Sequence, residues 1–194
     1  MGASVAYHTK LADPSLRICV VERDTSFAHA SAMVRHSPDG RDGARPDGVS
    51  CAPQLSAGGI RQQFSLPVNI QLSLYGVDFL RSIGAELAVP GAPPPDVQFK
   101  EQGYLFLASA QGEPTLRRNQ ATQAAQGVHW TKLLAPEELS ERFPWLSVEG
   151  VALGCVGEQS EGWFDPWAML SALRAKAAHL GKPSWWGVRR LPAP

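Results

Sequence analysis

The sequence has no long apolar run and no excess of either charge. No stretch of about 18 consecutive apolar residues occurs in the 194-residue chain, so we expect no transmembrane helix. Lys and Arg together number 18, as do Asp and Glu, and the formal net charge is zero. Because no basic block stands out, we do not expect nucleic acid or an anionic membrane surface to be the main partner.

Cysteine is also scarce. The three cysteines, Cys19, Cys51 and Cys155, are odd in number and widely spaced. They match no zinc or redox spacing, so the sequence predicts no metal site and favours a reducing compartment. A hydrophobic content of 44% and a length of 194 residues are typical of a globular chain with a sizeable core.

An apolar run that ends abruptly in charge is the most informative stretch near the start. Ile18–Val21 precedes Glu22, Arg23 and Asp24, a pattern typical of a strand buried on both faces of a parallel sheet. A carboxylate at the end of such a strand can accept hydrogen bonds from a ribose. Buried Val-rich strands that end in Glu also occur in many other α/β proteins, so this pattern leaves both interpretations open.

The residues before this strand predict a helix, Gly2–Ala12. Gly2 lies 20 positions before Glu22, close to the spacing between a dinucleotide fingerprint and its ribose-binding acid. The small residues Gly2–Ser4 would let backbone N–H groups approach a pyrophosphate. The pattern corresponds to the second half of a βαβ nucleotide unit, without the opening strand and the first two fingerprint glycines.

A polar segment separates this unit from the remainder of the chain. Val34–Gln54 holds three Gly, three Pro, three Asp and three Arg in 21 residues. Such a composition cannot bury enough surface to offset the entropy of ordering. We therefore predict a disordered insertion over residues 33–54.

Leu55–Ser65 is a glycine-rich loop with an arginine and two amides. Gly58, Gly59 and Arg61, followed by Gln62 and Gln63, could lie flat against a ligand and hydrogen-bond it. A turn with a solvated arginine explains the same residues equally well.

The second half predicts alternating helices and short strands. Apolar periodicity, Pro and Gly positions and the N-cap signal Asp165-Pro166 define them. The predicted elements are a helix Val68–Leu87, strands Val97–Lys100 and Tyr104–Ala108, a helix Pro114–Gln126, a strand Val128–Leu133, a short helix from Pro136 to before Pro144, a strand Val151–Val156 and a helix from Pro166 to Leu180.

Six stretches together carry a family resemblance. They are Gly2–Tyr7, Val20–Arg23, Leu55–Ser65, Gly103–Leu105, Phe143–Trp145 and Glu161–Pro166. In order and spacing they resemble the FAD-dependent amine oxidoreductases related to D-amino-acid oxidase, a group that includes sarcosine oxidase and dimethylglycine dehydrogenase. The resemblance extends from Met1 to Leu180, apart from the insertion.

The resemblance implies an α/β fold in two parts. Residues 1–96 and 157–181 would form an incomplete Rossmann-like FAD-binding domain with a parallel sheet. Residues 97–156 would form part of a smaller, mainly antiparallel substrate domain, and residues 182–194 an irregular tail.

The resemblance also implies the site residues and the cofactor, FAD. The cofactor-binding residues carried over are Gly2 at the phosphate loop, Glu22 at the adenosine ribose with Arg23 beside it, Ser31 at the pyrophosphate, and Ser56, Gly58, Gly59 and Arg61 on the flavin side. Several relatives attach FAD through a histidine in the glycine-rich loop. No histidine lies between Leu55 and Ser65, so we expect noncovalent binding. Because two fingerprint glycines are missing, we expect the chain as written not to retain stoichiometric FAD. No side chain is identified as a catalytic base.

Two functions of different classes agree with this resemblance. The first is an oxidoreductase that moves a hydride equivalent from a C–N bond of an amino acid or secondary amine to the flavin. The second is a non-catalytic assembly or chaperone protein on a flavoprotein scaffold; an inactive truncated product is a third alternative. The motif order is most similar to that of a mitochondrial family member tied to assembly of respiratory complex I. The resemblance therefore implies a mitochondrial location, although no presequence is recognisable, with complex I subunits or assembly factors as partners.

Overall fold

The computed structural model describes residues 2–18 and 56–181. Several predictions lie outside these ranges: Cys19–Val21 of the predicted parallel strand, the site residues Glu22, Arg23 and Ser31, the insertion 33–54 and the tail 182–194. Ile18 is described; it belongs to no helix or strand and is 38% exposed. None of the helices in the described ranges is long and apolar enough to cross a membrane.

Backbone packing divides the described residues into two compact units. One contains residues 2–18, 56–58, 82–98 and 165–181; the other contains residues 59–81 and 99–164. Compactness does not show what a unit binds, so the division into a FAD-binding and a substrate domain stays a prediction.

The second unit contains a three-stranded antiparallel sheet. Its strands are β2 (Tyr104–Ala108), β3 (Thr131–Leu134) and β4 (Leu153–Gly157), with β4 in the centre. In the register, Cys155 lies opposite Phe106 on one side and Leu133 on the other. The predicted antiparallel sheet in this half is confirmed, with the strand bounds shifted by up to three residues.

A short two-stranded ribbon lies in the same unit. β1 (Gly59–Ile60) pairs antiparallel with β5 (Gly162–Trp163), and Lys100 joins Trp163 through an isolated bridge. The predicted strand Val97–Lys100 is wrong. The backbone of Gln98 has φ +51°, a left-handed conformation that interrupts an extended path.

All five predicted helices are confirmed in the described ranges. They are α1 (Gly2–Ala12), α2 (Pro67–Glu86), α3 (Glu113–Ala125), α4 (Pro136–Arg142) and α5 (Pro166–Leu180). Asp165 caps α5, because its carboxylate accepts the N–H groups of Trp167 at 2.8 Å and Ala168 at 3.2 Å.

Each unit has its own apolar core. In the first, α1 packs on α5, burying Tyr7 and Leu173, and the Tyr7 hydroxyl donates to the Glu86 carboxylate at 3.2 Å. In the second, Ile70, Val128 and Leu139 are completely buried. The sheet and the β1–β5 ribbon of this second unit position the loop that carries Arg61.

Candidate functional site

The glycine-rich loop begins with a left-handed turn. Gly58 is buried and has φ +66°, a conformation that side-chain-bearing residues rarely adopt. Its N–H donates to the Ser56 hydroxyl oxygen at 3.1 Å. Ser56 and Gly58, both predicted flavin-side residues, are therefore joined in one turn.

Gly59 is held close to a tyrosine. A Cβ added to Gly59 would overlap the Tyr104 hydroxyl group. Glycine here lets the Tyr104 side chain of β2 lie against the backbone, whether or not a ligand approaches this position.

Arg61 lies among three aromatic rings. Its guanidinium carbon is 4.9 Å from the Phe64 ring centroid, 5.2 Å from that of Phe106 and 5.8 Å from that of Tyr104. These distances fall within the range of cation–π attraction. The side chain is half-buried, and its Nε–H is buried without a hydrogen-bond partner in residues 2–18 and 56–181. The structure thus differs from a turn with a solvated arginine.

The two amides that follow Arg61 are internal. Gln62 is 0% and Gln63 7% exposed. Gln63 Nε2 donates to Glu161 Oε2 at 2.8 Å and to the Tyr104 carbonyl at 3.1 Å. Gln62 Nε2 donates to the Ser73 hydroxyl oxygen at 3.3 Å. Both amide oxygens are buried without a hydrogen-bond partner among the described residues.

Glu161 is the residue of this site that the sequence analysis missed. Its side chain is completely buried, and Oε1 accepts the backbone N–H of Gln62 at 2.7 Å. Burial raises the pKa of the Glu161 carboxyl; the hydrogen bonds from Gln63 and Gln62 and the positive charge of Arg61 act in the opposite direction. Gly157 makes room for this carboxylate, since a Cβ there would overlap Oε2. In the sequence, Glu161 entered only as the first residue of Glu161–Pro166, one of the stretches that carry the resemblance, and that stretch does not show that the acid is buried.

Gly2 begins α1, and the first turn of this helix contains no acidic side chain. Unpaired N–H groups at such a helix start suit a pyrophosphate. The remaining predicted contacts, Glu22, Arg23 and Ser31, lie outside the described residues. Within the ranges that the structure describes, no three His, Cys, Asp or Glu side chains group as metal ligands.

Two features, each described within its own compact unit, suit a negatively charged group. One is the helix start at Gly2, which lacks acidic residues in its first turn. The other is the buried, unpartnered Nε–H of the Arg61 cation, because a charged donor of this kind is costly without an acceptor.

The chain belongs to a family of FAD-dependent oxidoreductases. The family model described as "FAD dependent oxidoreductase" (DAO) matches residues 1–182, which confirms the resemblance and makes FAD the cofactor of the family.

Two of the curated relatives carry the same name. The chain is 44% identical to FAD-dependent oxidoreductase domain-containing protein 1 of Bos taurus and 41% identical to that of Xenopus laevis, each over 93% of this chain. It spans only 33% and 32% of those relatives' lengths, that is, about a third.

Solved structures agree with the α/β fold class. Glycine oxidase from Geobacillus kaustophilus matches with a TM-score of 0.63 and 22% identity, over 93% of this chain and 42% of that one. L-proline dehydrogenase from P. horikoshii matches with a TM-score of 0.53 and 30% identity, over 66% of this chain and 32% of that one.

Proposed function

We propose that the protein is a FAD-dependent oxidoreductase that oxidises a C–N bond of an amino acid or secondary amine. The observation that carries this proposal is the family match over residues 1–182. The names of two structural neighbours, glycine oxidase and L-proline dehydrogenase, support a small amino-acid substrate. In such a protein FAD supplies the redox chemistry by accepting a hydride equivalent, while the chain binds and orients it.

The residues of this chain have distinct binding roles under the proposal. The N–H groups at Gly2 would hold the pyrophosphate, and Glu22, Arg23 and Ser31 would extend that contact to the ribose and phosphates. The turn at Ser56 and Gly58 would bring backbone close to the flavin. Arg61 would present its unpaired Nε–H to a negatively polarised atom there.

FAD binding is noncovalent under the proposal. The segment from Leu55 to Ser65 contains no histidine, so this loop has no residue of the type that links the flavin in several relatives. Denaturing the protein after it has been loaded with excess FAD should therefore release all of its flavin into the supernatant. Flavin that stays with the precipitate would contradict this part.

The test combines flavin binding with substrate bleaching. Because we do not expect the chain as written to retain stoichiometric FAD, the protein is titrated with excess FAD, and the bound flavin absorbance is then followed anaerobically with glycine, proline, sarcosine and N,N-dimethylglycine. We expect bleaching with at least one of them. Arg61→Ala should weaken FAD affinity about ten- to hundred-fold, because it removes a charged donor. Arg117→Ala is the matched control, since Arg117 is half-exposed and pairs with Glu113 within α3. A protein that binds FAD but bleaches with no amine would contradict the oxidoreductase proposal.

The proposed cellular location and partners are supported by the sequence resemblance alone. We propose a mitochondrial location and contact with respiratory complex I subunits or assembly factors. Cell fractionation and co-purification of the tagged protein test both. Recovery outside mitochondria, or without complex I components, would contradict them.

A further inference from the structure

We propose that Glu161 is a positioning residue that fixes the Arg61–Gln62 peptide and thereby aims the Arg61 side chain. The inference rests on the proposed function only where it assigns Arg61 to the flavin side. Its structural part stands on contacts within one compact unit, residues 59–81 and 99–164.

The Arg61–Gln62 peptide unit is held at both of its polar groups. Its N–H, which belongs to Gln62, donates to Glu161 Oε1 at 2.7 Å. Its carbonyl oxygen, which belongs to Arg61, accepts a hydrogen bond from the Ser73 hydroxyl. Because a peptide unit is planar, fixing both groups fixes its orientation. The direction in which the Arg61 side chain leaves the backbone is set with it.

The second carboxylate oxygen holds the next residue. Glu161 Oε2 accepts Gln63 Nε2–H at 2.8 Å, and the same amide donates to the Tyr104 carbonyl at 3.1 Å. Tyr104 also supplies one of the rings beneath the Arg61 guanidinium. The carboxylate thus connects the peptide after Arg61 to the strand that carries part of its aromatic surroundings.

The position of the carboxylate argues against a direct role on a substrate. Both oxygens are engaged by donors, and the side chain is 0% exposed. It can act on a ligand only through Arg61, by orientation and by the favourable charge interaction between the two residues.

The experiment compares Glu161→Ala, Glu161→Gln and the control Glu113→Gln, whose glutamate pairs with Arg117 in α3. The first readout is hydrogen exchange of the Gln62 amide. We expect exchange to rise about ten- to hundred-fold in Glu161→Ala, because a charge-assisted bond is lost. In Glu161→Gln we expect a change of a few-fold only, since the new amide oxygen can accept the Gln62 N–H.

The second readout is FAD binding by the same proteins. Glu161→Ala should lose FAD affinity by a similar factor, and Glu161→Gln should recover most of it. If Glu161→Ala does not fold, Ser73→Ala releases the opposite side of the same peptide, and we expect exchange and affinity to change in the same direction. Unchanged Gln62 exchange, or faster exchange with unchanged affinity, would overturn the inference. If the wild-type protein binds no FAD, the proposed function fails, while the exchange data still decide whether Glu161 fixes the peptide.

Discussion

Replacing Gly157 with alanine tests the packing around the buried carboxylate. Gly157 ends β4, and an added Cβ would overlap Glu161 Oε2 and lie 3.0 Å from Gln63 Nε2. The backbone of Gly157 is not among the described residues with positive φ, so alanine itself brings no left-handed strain. The loss of stability in Gly157→Ala therefore comes from moving the Glu161 carboxylate.

The magnitude follows from the contacts that must change. Displacing Oε2 weakens its charged hydrogen bond with Gln63, which is worth about 1.5–3 kcal/mol. Alanine also lowers the conformational entropy of the unfolded chain, which offsets about 0.4–1 kcal/mol. We expect Gly157→Ala to lower the free energy of unfolding by about 1–2 kcal/mol.

Urea unfolding of the full chain measures this change through the midpoint at constant slope. Gly84→Ala is the control, because a Cβ there meets its nearest neighbour at an ordinary 3.5 Å, and we expect it to be neutral or slightly stabilising. In a Glu161→Ala background the cost of Gly157→Ala should nearly vanish, since the obstructing atoms are gone. Equal stability of Gly157→Ala and wild type, or an undiminished cost in the double variant, would refute the reasoning.

Three further predictions concern single side chains. Asp165→Ala should lower the free energy of unfolding, measured in urea, by about 1 kcal/mol, because the cap of α5 is lost. Asp165→Asn should keep most of the wild-type stability, because Asn can still cap α5. Burial raises the pKa of the Cys155 thiol to about 11, so in a chain with Cys19→Ser and Cys51→Ser iodoacetamide should label the native protein far more slowly than the unfolded one at neutral pH. The pKa of the Glu161 carboxyl is raised in the folded protein, so the folded state holds its proton more tightly than the unfolded state does. As pH falls from that raised pKa to the ordinary 4.5, the wild type should therefore gain stability relative to Glu161→Gln, and it should lose this gain as pH rises again. Urea unfolding of both proteins across this pH range measures the difference. Equal labelling rates for the native and unfolded protein would contradict the prediction for Cys155. A stability difference between wild type and Glu161→Gln that does not change with pH would contradict the prediction for Glu161.

Helices were predictable because their signals are local. In α5, Asp165 and Pro166 occupy the N-cap and first helical positions, and the carboxylate bonds two N–H groups within three residues. In α2, Ile70, Val77 and Leu80 recur at helical spacing and are all buried. Each signal depends on neighbours within about one or two turns, which the sequence alone displays.

Strand bounds depend on partners that are distant in sequence. Val97–Lys100 has the composition of a strand, yet only Lys100 pairs, and its partner is Trp163. Gln98, with its left-handed backbone, donates its N–H to Asp96 Oδ1 at 2.7 Å, which is a local turn. The pairing of Lys100 with the distant Trp163 is not displayed by the residues around it.

The residues of the candidate site were likewise predictable only where their contacts are local. The turn at Ser56 and Gly58 is local, and both residues were predicted. The bond from Gln62 to Glu161 joins residues 99 positions apart. A single sequence does not display such a pairing, and an isolated glutamate in a loop is more often exposed than buried.

The glycines around the site can be explained by internal packing as well as by ligand binding, and the sequence alone does not distinguish the two explanations. A glycine-rich loop lets backbone approach a cofactor, but it equally lets side chains of the same protein approach the backbone. In the described structure Gly59 makes room for the Tyr104 hydroxyl, and Gly157 makes room for the Glu161 carboxylate. Both contacts converge on the segment that carries Arg61. The glycines therefore serve the packing around this arginine, and glycine content alone would locate the segment without showing which atoms of it face a ligand.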